Sequence, residues 1–146
     1  MLKHITHVNV WVHDHDVARD FYVGTLGLEL REDVTMAEFG NYRWLTVGPP
    51  GQPDVNLILA VPGPPMFDAD QAAKLLASVS AGTTSGAGSM IFSADDIRAT
   101  YDDLTARGVE FIQAPEERFY GIDAAFRDPS GNAIRITQPA PERRSH

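Results

Sequence analysis

The chain has 146 residues, a formal net charge of −8 and no cysteine. This length suits one domain, or two very small modules that share a core. The lack of cysteine excludes disulfides, zinc–thiolate sites and a thiol nucleophile. The acidic balance argues against nucleic acid and anionic membranes as partners, and no apolar run approaches the roughly 18 residues of a membrane span. With no apolar leader at its start, the protein is expected to be soluble and cytoplasmic.

The first 61 residues predict the element order β-α-β-β-β. The opening strand alternates with period two, so His7, Asn9 and Trp11 share one face and the intervening valines share the other. A helix capped by aspartate follows, and three further strands complete the module. A Pro/Gly-rich turn between the last two strands favours a hairpin there.

The same order of elements returns at residues 89–139, which indicates an internal repeat. Residues 62–88 are interpreted as a linker that carries one short helix, and residues 140–146 as a frayed tail. Neither module alone buries much core, so the two must pack together or pair with modules of another chain. The predicted fold is α+β, with two βαβββ modules forming an incomplete eight-stranded barrel around a cleft.

The chain resembles the vicinal oxygen chelate superfamily in three stretches, HVNVWVHDHDVARDFYVGTLGLEL, FSADDIRATYDDLTARGVEF and FRDPSGNAIRITQ. That superfamily includes glyoxalase I, extradiol dioxygenases, fosfomycin-modifying enzymes and bleomycin-resistance proteins. The resemblance covers nearly the whole chain, apart from the linker. It implies a ligand cleft between the modules and a homodimer, with modules paired within one chain or exchanged between chains.

The metal enzymes of this superfamily take ligands from four strand positions that face the cleft. By the resemblance, those positions hold His7, Asn56, Ser89 and Arg135. Divalent metals prefer histidine nitrogen and carboxylate oxygen, whereas the arginine cation does not deprotonate and would repel the metal. The resemblance therefore points to a member that uses no metal or other cofactor, as the antibiotic-sequestering proteins of the superfamily do.

Aromatic side chains extend the candidate ligand site in the first module. Asn9 and Trp11 share the predicted face of His7, which favours a position in the cleft for Trp11 over one in the core. Tyr42 and Trp44 also share one face, which lies either in the cleft or in the core. His7 itself is a candidate cleft-lining residue, proton carrier or metal ligand.

Two further candidates lie in the second module. Phe119 and Tyr120 are expected to form a lip over the cleft or, alternatively, a packed loop. Arg135 can recognise a carboxylate, phosphate or enolate by paired hydrogen bonds. The alternative for Arg135 is a structural ion pair, for instance with Asp123.

The function predicted from these features is metal-independent binding of an organic small molecule in the cleft, for sequestration or resistance. The alternative is a lyase, isomerase or dioxygenase-type enzyme of the same superfamily that uses His7 as a base or metal ligand. The sequence assigns no catalytic residue and does not identify the ligand. Nucleic acid and membranes are not expected as partners.

Overall fold

The computed structural model describes residues 1–81 and 90–141. The chain divides into two units, Met1–Ser80 and Ala81–His146. The glycine- and serine-rich connection predicted for GTTSGAGS, including candidate Ser89, lies outside the described residues, as does most of the predicted tail.

The first unit follows the predicted order of one strand, one helix and three strands, and a second helix comes after them. Its elements are β1 (His7–Trp11), α1 (His15–Arg19), β2 (Glu29–Met36), β3 (Tyr42–Gly48), β4 (Asn56–Ala60) and α2 (Ala69–Ala81). A π-helical segment continues α1, and a 3-10 turn, Ala37–Phe39, follows β2. Asp14 caps α1 by accepting a hydrogen bond from the Val17 backbone N–H at 3.0 Å, as the sequence predicts.

The four strands of the first unit form one sheet in the order β1-β4-β3-β2. β1 and β4 are parallel, and the other neighbours are antiparallel. One face of this sheet is apolar and buried together with the helical segment, because residues such as Val10, Leu45 and Leu59 alternate inward. Ala18 and Tyr22 supply buried helical side chains.

The second unit repeats this arrangement. Its elements are β5 (Met90–Ser93), α3 (Ile97–Ala106), β6 (Phe111–Arg118), β7 (Gly121–Arg127) and β8 (Ala133–Pro139). The sheet order is β5-β8-β7-β6, and the first strand again pairs in parallel with the last. Pro115 lies on the edge strand β6, where a missing N–H is tolerated.

A glycine is required at the turn into β7. Gly121 has a φ of +144°, and a Cβ at this position would lie 2.1 Å from the Gln138 carbonyl oxygen. The reversal between β6 and β7 therefore tolerates no larger residue at Gly121 without a backbone shift.

The predicted α+β class with two βαβββ modules is confirmed, and the described strands form two four-stranded sheets. Within residues 1–81 and 90–141, no helix is both long enough and apolar enough to cross a bilayer.

Candidate ligand site

A pocket of about 290 Å³ opens on the first unit. Its lining residues are Met36, Phe39, Tyr42, Trp44, Pro65 and Met66. Every one of these side chains is apolar or aromatic. Such a lining suits a planar, largely apolar molecule.

The β2–β3 hairpin supplies the floor of the pocket. Met36 pairs with Tyr42, and Val34 pairs with Trp44, so alternation brings Met36, Tyr42 and Trp44 to the same face of the sheet. The 3-10 turn at the hairpin tip carries Phe39, which is 61% exposed. An exposed phenylalanine beside two sheet aromatics leaves apolar surface open to a ligand.

The segment after β4 supplies the rest of the lining. Pro65 and Met66 line the pocket, and Met66 is 59% exposed. Phe67 anchors this segment, because its ring packs edge-on against Trp11 with the centroids 5.4 Å apart. The stretch interpreted as linker thus contributes directly to the pocket.

Trp44 connects the pocket to His7. The two ring centroids lie 5.5 Å apart, and the indole Nε1 donates a hydrogen bond to Glu32 Oε1 at 3.3 Å. His7 Nδ1 lies 3.0 Å from the Thr6 hydroxyl oxygen. The Trp44 ring therefore lies next to an imidazole, and its N–H is hydrogen-bonded to a carboxylate.

Asn56 lies directly beside His7 in the parallel register of β1 and β4. Its Nδ2 donates to the Thr6 carbonyl at 3.0 Å, and its Oδ1 accepts from Arg31 Nη1 at 3.0 Å. Both polar ends of the Asn56 amide are therefore hydrogen-bonded, the nitrogen to the backbone and the oxygen to a neighbouring guanidinium. Asn9 is exposed on the same face as His7, two residues along β1.

In the second unit, Arg135 forms an ion pair with Asp123, which was one of its two predicted roles. Asp123 is fully buried and pairs with Thr137 on β8, two residues from Arg135. It also accepts hydrogen bonds from the Tyr120 hydroxyl at 2.5 Å and from Gln113 Nε2 at 3.0 Å.

These contacts set the ionisation of the cluster. Burial acts to raise the pKa of the Asp123 carboxyl, but the hydrogen bonds from Tyr120, Arg135 and Gln113 bring it below its ordinary value. The same hydrogen bond to Asp123, together with burial, raises the pKa of the Tyr120 phenol. Tyr120 therefore stays protonated and donates to Asp123, while Phe119 beside it is 89% exposed.

Of the four positions that the resemblance assigns to metal ligands, the three that the structure describes, His7, Asn56 and Arg135, do not fit a divalent metal. His7 has an amide as its neighbour at the second position, and Arg135 brings a paired cation to the fourth. In the stretches that the structure describes, no group of three or more His, Asp or Glu side chains comes together in a way that could hold a metal ion. Among the described positions, only His7 supplies a donor of the kind that such metals prefer, and none supplies a carboxylate.

The structure divides the predicted site residues between the two units. His7, Asn9, Trp11 and Asn56 lie on strands of the first sheet, and Phe119, Tyr120 and Arg135 lie in the second unit. Sequence reasoning missed the pocket residues Met36, Phe39, Pro65 and Met66. The sequence feature that indicates them is the presence of large apolar residues in two turn-forming stretches, MAEFG and PGPPMF.

The sequence model of the Glyoxalase/Bleomycin resistance protein/Dioxygenase superfamily matches residues 4–136. The chain belongs to this superfamily. The resemblance found in the sequence is thereby confirmed. One relative, an uncharacterized protein of Shewanella frigidimarina, is 35% identical to this chain. The match covers 94% of this chain and 95% of the relative.

Two solved structures are similar to this superfamily member over nearly their whole length. UcmS2 is 38% identical to this chain, with a TM-score of 0.85. The match covers 94% of this chain and 98% of UcmS2. TnmS3, described as an antibiotic binding protein from Streptomyces sp. CB03234, is 31% identical with a TM-score of 0.72. That match covers 95% of this chain and 98% of TnmS3.

Proposed function

We propose that this superfamily member binds a planar, largely apolar organic molecule in the pocket of its first unit, without a metal, and sequesters it. The observation that carries the proposal is the pocket itself, which three aromatic rings and two thioethers line. Aromatic faces stack on planar ligands, and methionine side chains adapt to irregular shapes.

The comparison with TnmS3 supports binding rather than a particular ligand. TnmS3 is an antibiotic binding protein by description and matches this chain along 95% of its length. A shared fold alone does not carry a ligand from one protein to another. The proposed ligand class therefore rests on the pocket lining, and the identity with TnmS3 supports only a binding role.

The proposal assigns separate roles to the pocket walls. Trp44 forms the stacking surface, and its contacts with His7 and Glu32 limit its rotation before a ligand arrives. Such preorganisation lowers the entropic cost of binding. Met66 and Phe39 lie at the exposed rim, where they can fold over a bound ring system.

The test is a titration of the protein with acridine, at a pH above the pKa of the acridine ring nitrogen, where this tricyclic probe is neutral. The fluorescence anisotropy of the probe measures binding. We expect saturable binding of one acridine per chain. Trp44→Leu removes the stacking surface, so we expect affinity to fall at least about tenfold, or about 1.4 kcal/mol.

Phe119→Leu is the matched control, because it removes an exposed aromatic ring from the second unit. The affinity of the Phe119→Leu variant for acridine should equal that of the native protein. If Phe119→Leu weakens binding and Trp44→Leu does not, the proposed pocket is wrong. The probe should be recovered with unchanged mass, and prior treatment with a chelator should leave affinity unaltered; conversion of the probe or loss of binding after chelation would contradict metal-free sequestration.

A further inference from the structure

Three acidic residues belong to the segments that line the apolar pocket, and one of them contacts a lining residue. Glu32 accepts the hydrogen bond from the indole of Trp44, and Glu38 lies within the 3-10 turn at the hairpin tip. Asp68 follows Met66 by two residues, and its carboxylate accepts a hydrogen bond from the Gln71 backbone N–H in the first turn of α2. All three residues are exposed, so they add negative charge to the segments around the rim of the pocket.

The arginines of the same hairpin are directed elsewhere. Arg43 alternates with Tyr42 and Trp44 along β3, so its side chain leaves the opposite face of the sheet. There it pairs with Asp16 and Asp33 at 2.8 and 2.9 Å.

Arg31, the other arginine of the hairpin, points away from the tip. Its guanidinium donates to backbone carbonyls in the turn after β3, such as those of Pro49 and Pro53. Neither arginine of the hairpin therefore pairs with Glu32, Glu38 or Asp68.

Two physical effects then act in the same direction inside the pocket. The faces of Trp44, Tyr42 and Phe39 carry the negative side of the ring quadrupole, which attracts a cation placed within about 6 Å. The carboxylates at the rim add a Coulomb attraction that water screens only partly. Both effects favour a positively charged ring system and disfavour an anionic one.

We infer that the pocket selects planar aromatic cations, such as N-alkylated heteroaromatic rings, over neutral and anionic molecules of the same shape. This inference rests on the proposed function and names the ligand class of that site. Glu32 is its specificity-determining residue, because its carboxylate lies against the ring on which the ligand stacks.

The experiment compares three probes that share one ring system: 10-methylacridinium as the cation, acridine as the neutral form and acridine-9-carboxylate as the anion. At low ionic strength we expect 10-methylacridinium to bind about tenfold more tightly than acridine, and the carboxylate to bind more weakly than both. Raising the salt from about 0.05 to about 0.5 M should narrow these differences, because exposed charges are screened.

Glu32→Gln separates charge from structure. Glutamine keeps a side-chain oxygen that can accept from the Trp44 indole, but it removes the negative charge. We expect this variant to lose about threefold of its affinity for 10-methylacridinium and less of its affinity for acridine, so the preference for the cation narrows. Asp54→Asn is the matched control, since it removes one carboxylate from the turn at the other end of β3.

The outcomes distinguish the inference from the proposed function. If acridine and 10-methylacridinium bind equally and Trp44→Leu weakens both, the pocket is a ligand site and the charge selectivity is wrong. If the cation is preferred but Trp44→Leu has no effect, or Asp54→Asn weakens it as much as Glu32→Gln, the cation binds the acidic surface and the inference fails. If none of the three probes binds, the proposed function fails as well.

Discussion

Asp123 concentrates the polar interactions of the second unit on one buried carboxylate. Arg135, Tyr120 and Gln113 all hydrogen-bond to it, and Arg118 Nε lies 3.6 Å from its Oδ1. A buried charge is tolerated only when its partners replace the lost hydration. Arg135, which the resemblance assigns to the fourth ligand position, is therefore part of the internal structure of the sheet.

We predict that Asp123→Asn destabilises the protein by about 3 kcal/mol, because it leaves the Arg135 guanidinium without its buried counter-charge. Urea unfolding of the full chain measures this change.

Asp103→Asn is the control for this change. Asp103 pairs with Arg107 on α3, where the side chains are 59% and 49% exposed. A surface pair of this kind should contribute less than about 0.5 kcal/mol. Equal losses of unfolding free energy in the two variants would show that the buried Asp123 cluster stabilises the protein no more than a surface ion pair does.

Among the elements, the turn between β3 and β4 depends on one side chain from the neighbouring strand. Arg31 donates to the carbonyls of Pro49, Gln52, Pro53 and Val55 at 3.0–3.3 Å. Gly48 is needed at the entry to this turn, because a Cβ there would lie 2.7 Å from Arg31 Nη2 and 2.8 Å from the Val55 carbonyl oxygen. One guanidinium thus organises a proline-rich turn that has few backbone hydrogen bonds of its own.

We predict that Arg31→Lys costs about 2 kcal/mol of unfolding free energy, because a lysine ammonium cannot reach carbonyls spread around a planar guanidinium. The turn at residues 49–55 should become the first site of limited proteolysis. Arg107→Lys, at the exposed C-cap of α3, should change neither stability nor the cleavage pattern. Protection of the turn in Arg31→Lys would mean that the proline residues alone hold it.

For the whole molecule, titrating groups link stability to pH. His15 lies at the start of α1, half-buried among Asp14, Asp16, Asp33 and Arg43, and its Nε2 is buried without a hydrogen-bond partner. Burial, and then the charge of Arg43, lower the pKa of His15 below its ordinary value of 6.5. The unfolded chain therefore takes up a proton at this position before the folded chain does.

Two carboxylates act at lower pH. The hydrogen bond from Arg43 is the main cause that lowers the pKa of Asp33, and hydrogen bonds outweigh burial in lowering the pKa of Asp123. Their stabilising contribution is complete above the ordinary aspartate pKa of 3.8 and is lost as the pH falls through the lowered values.

We predict that the free energy of unfolding declines in two stages as the pH falls, first below about 6.5 and more steeply below about 3.8. His15→Gln should remove the first stage, because the titrating group is absent, and His4→Gln in the exposed N-terminal segment should retain it. Urea unfolding at a series of pH values measures both stages. An unchanged slope in His15→Gln would assign the first stage to another group.

The sequence by itself determined the repeated βαβββ order and the superfamily. Strand alternation, aspartate caps and turn residues act over a few positions, so they can be read without tertiary contacts. Alternation correctly separated His7, Asn9 and Trp11 from the buried valines Val10 and Val12. The sequence also offered Asp123 as an example of an acidic partner for Arg135, and the structure pairs the two side chains.

Only the tertiary structure decided which side chains line the pocket and which polar groups are already occupied. Met36 and Met66 are thirty residues apart, and the chain must fold back before they can meet. The Tyr120 hydroxyl and the Asn56 amide are candidate ligand groups in the sequence, yet folding pairs them with Asp123, Arg31 and Thr6. Such pairings are set by long-range packing and by the cost of burying an unpaired polar group, which no local pattern records.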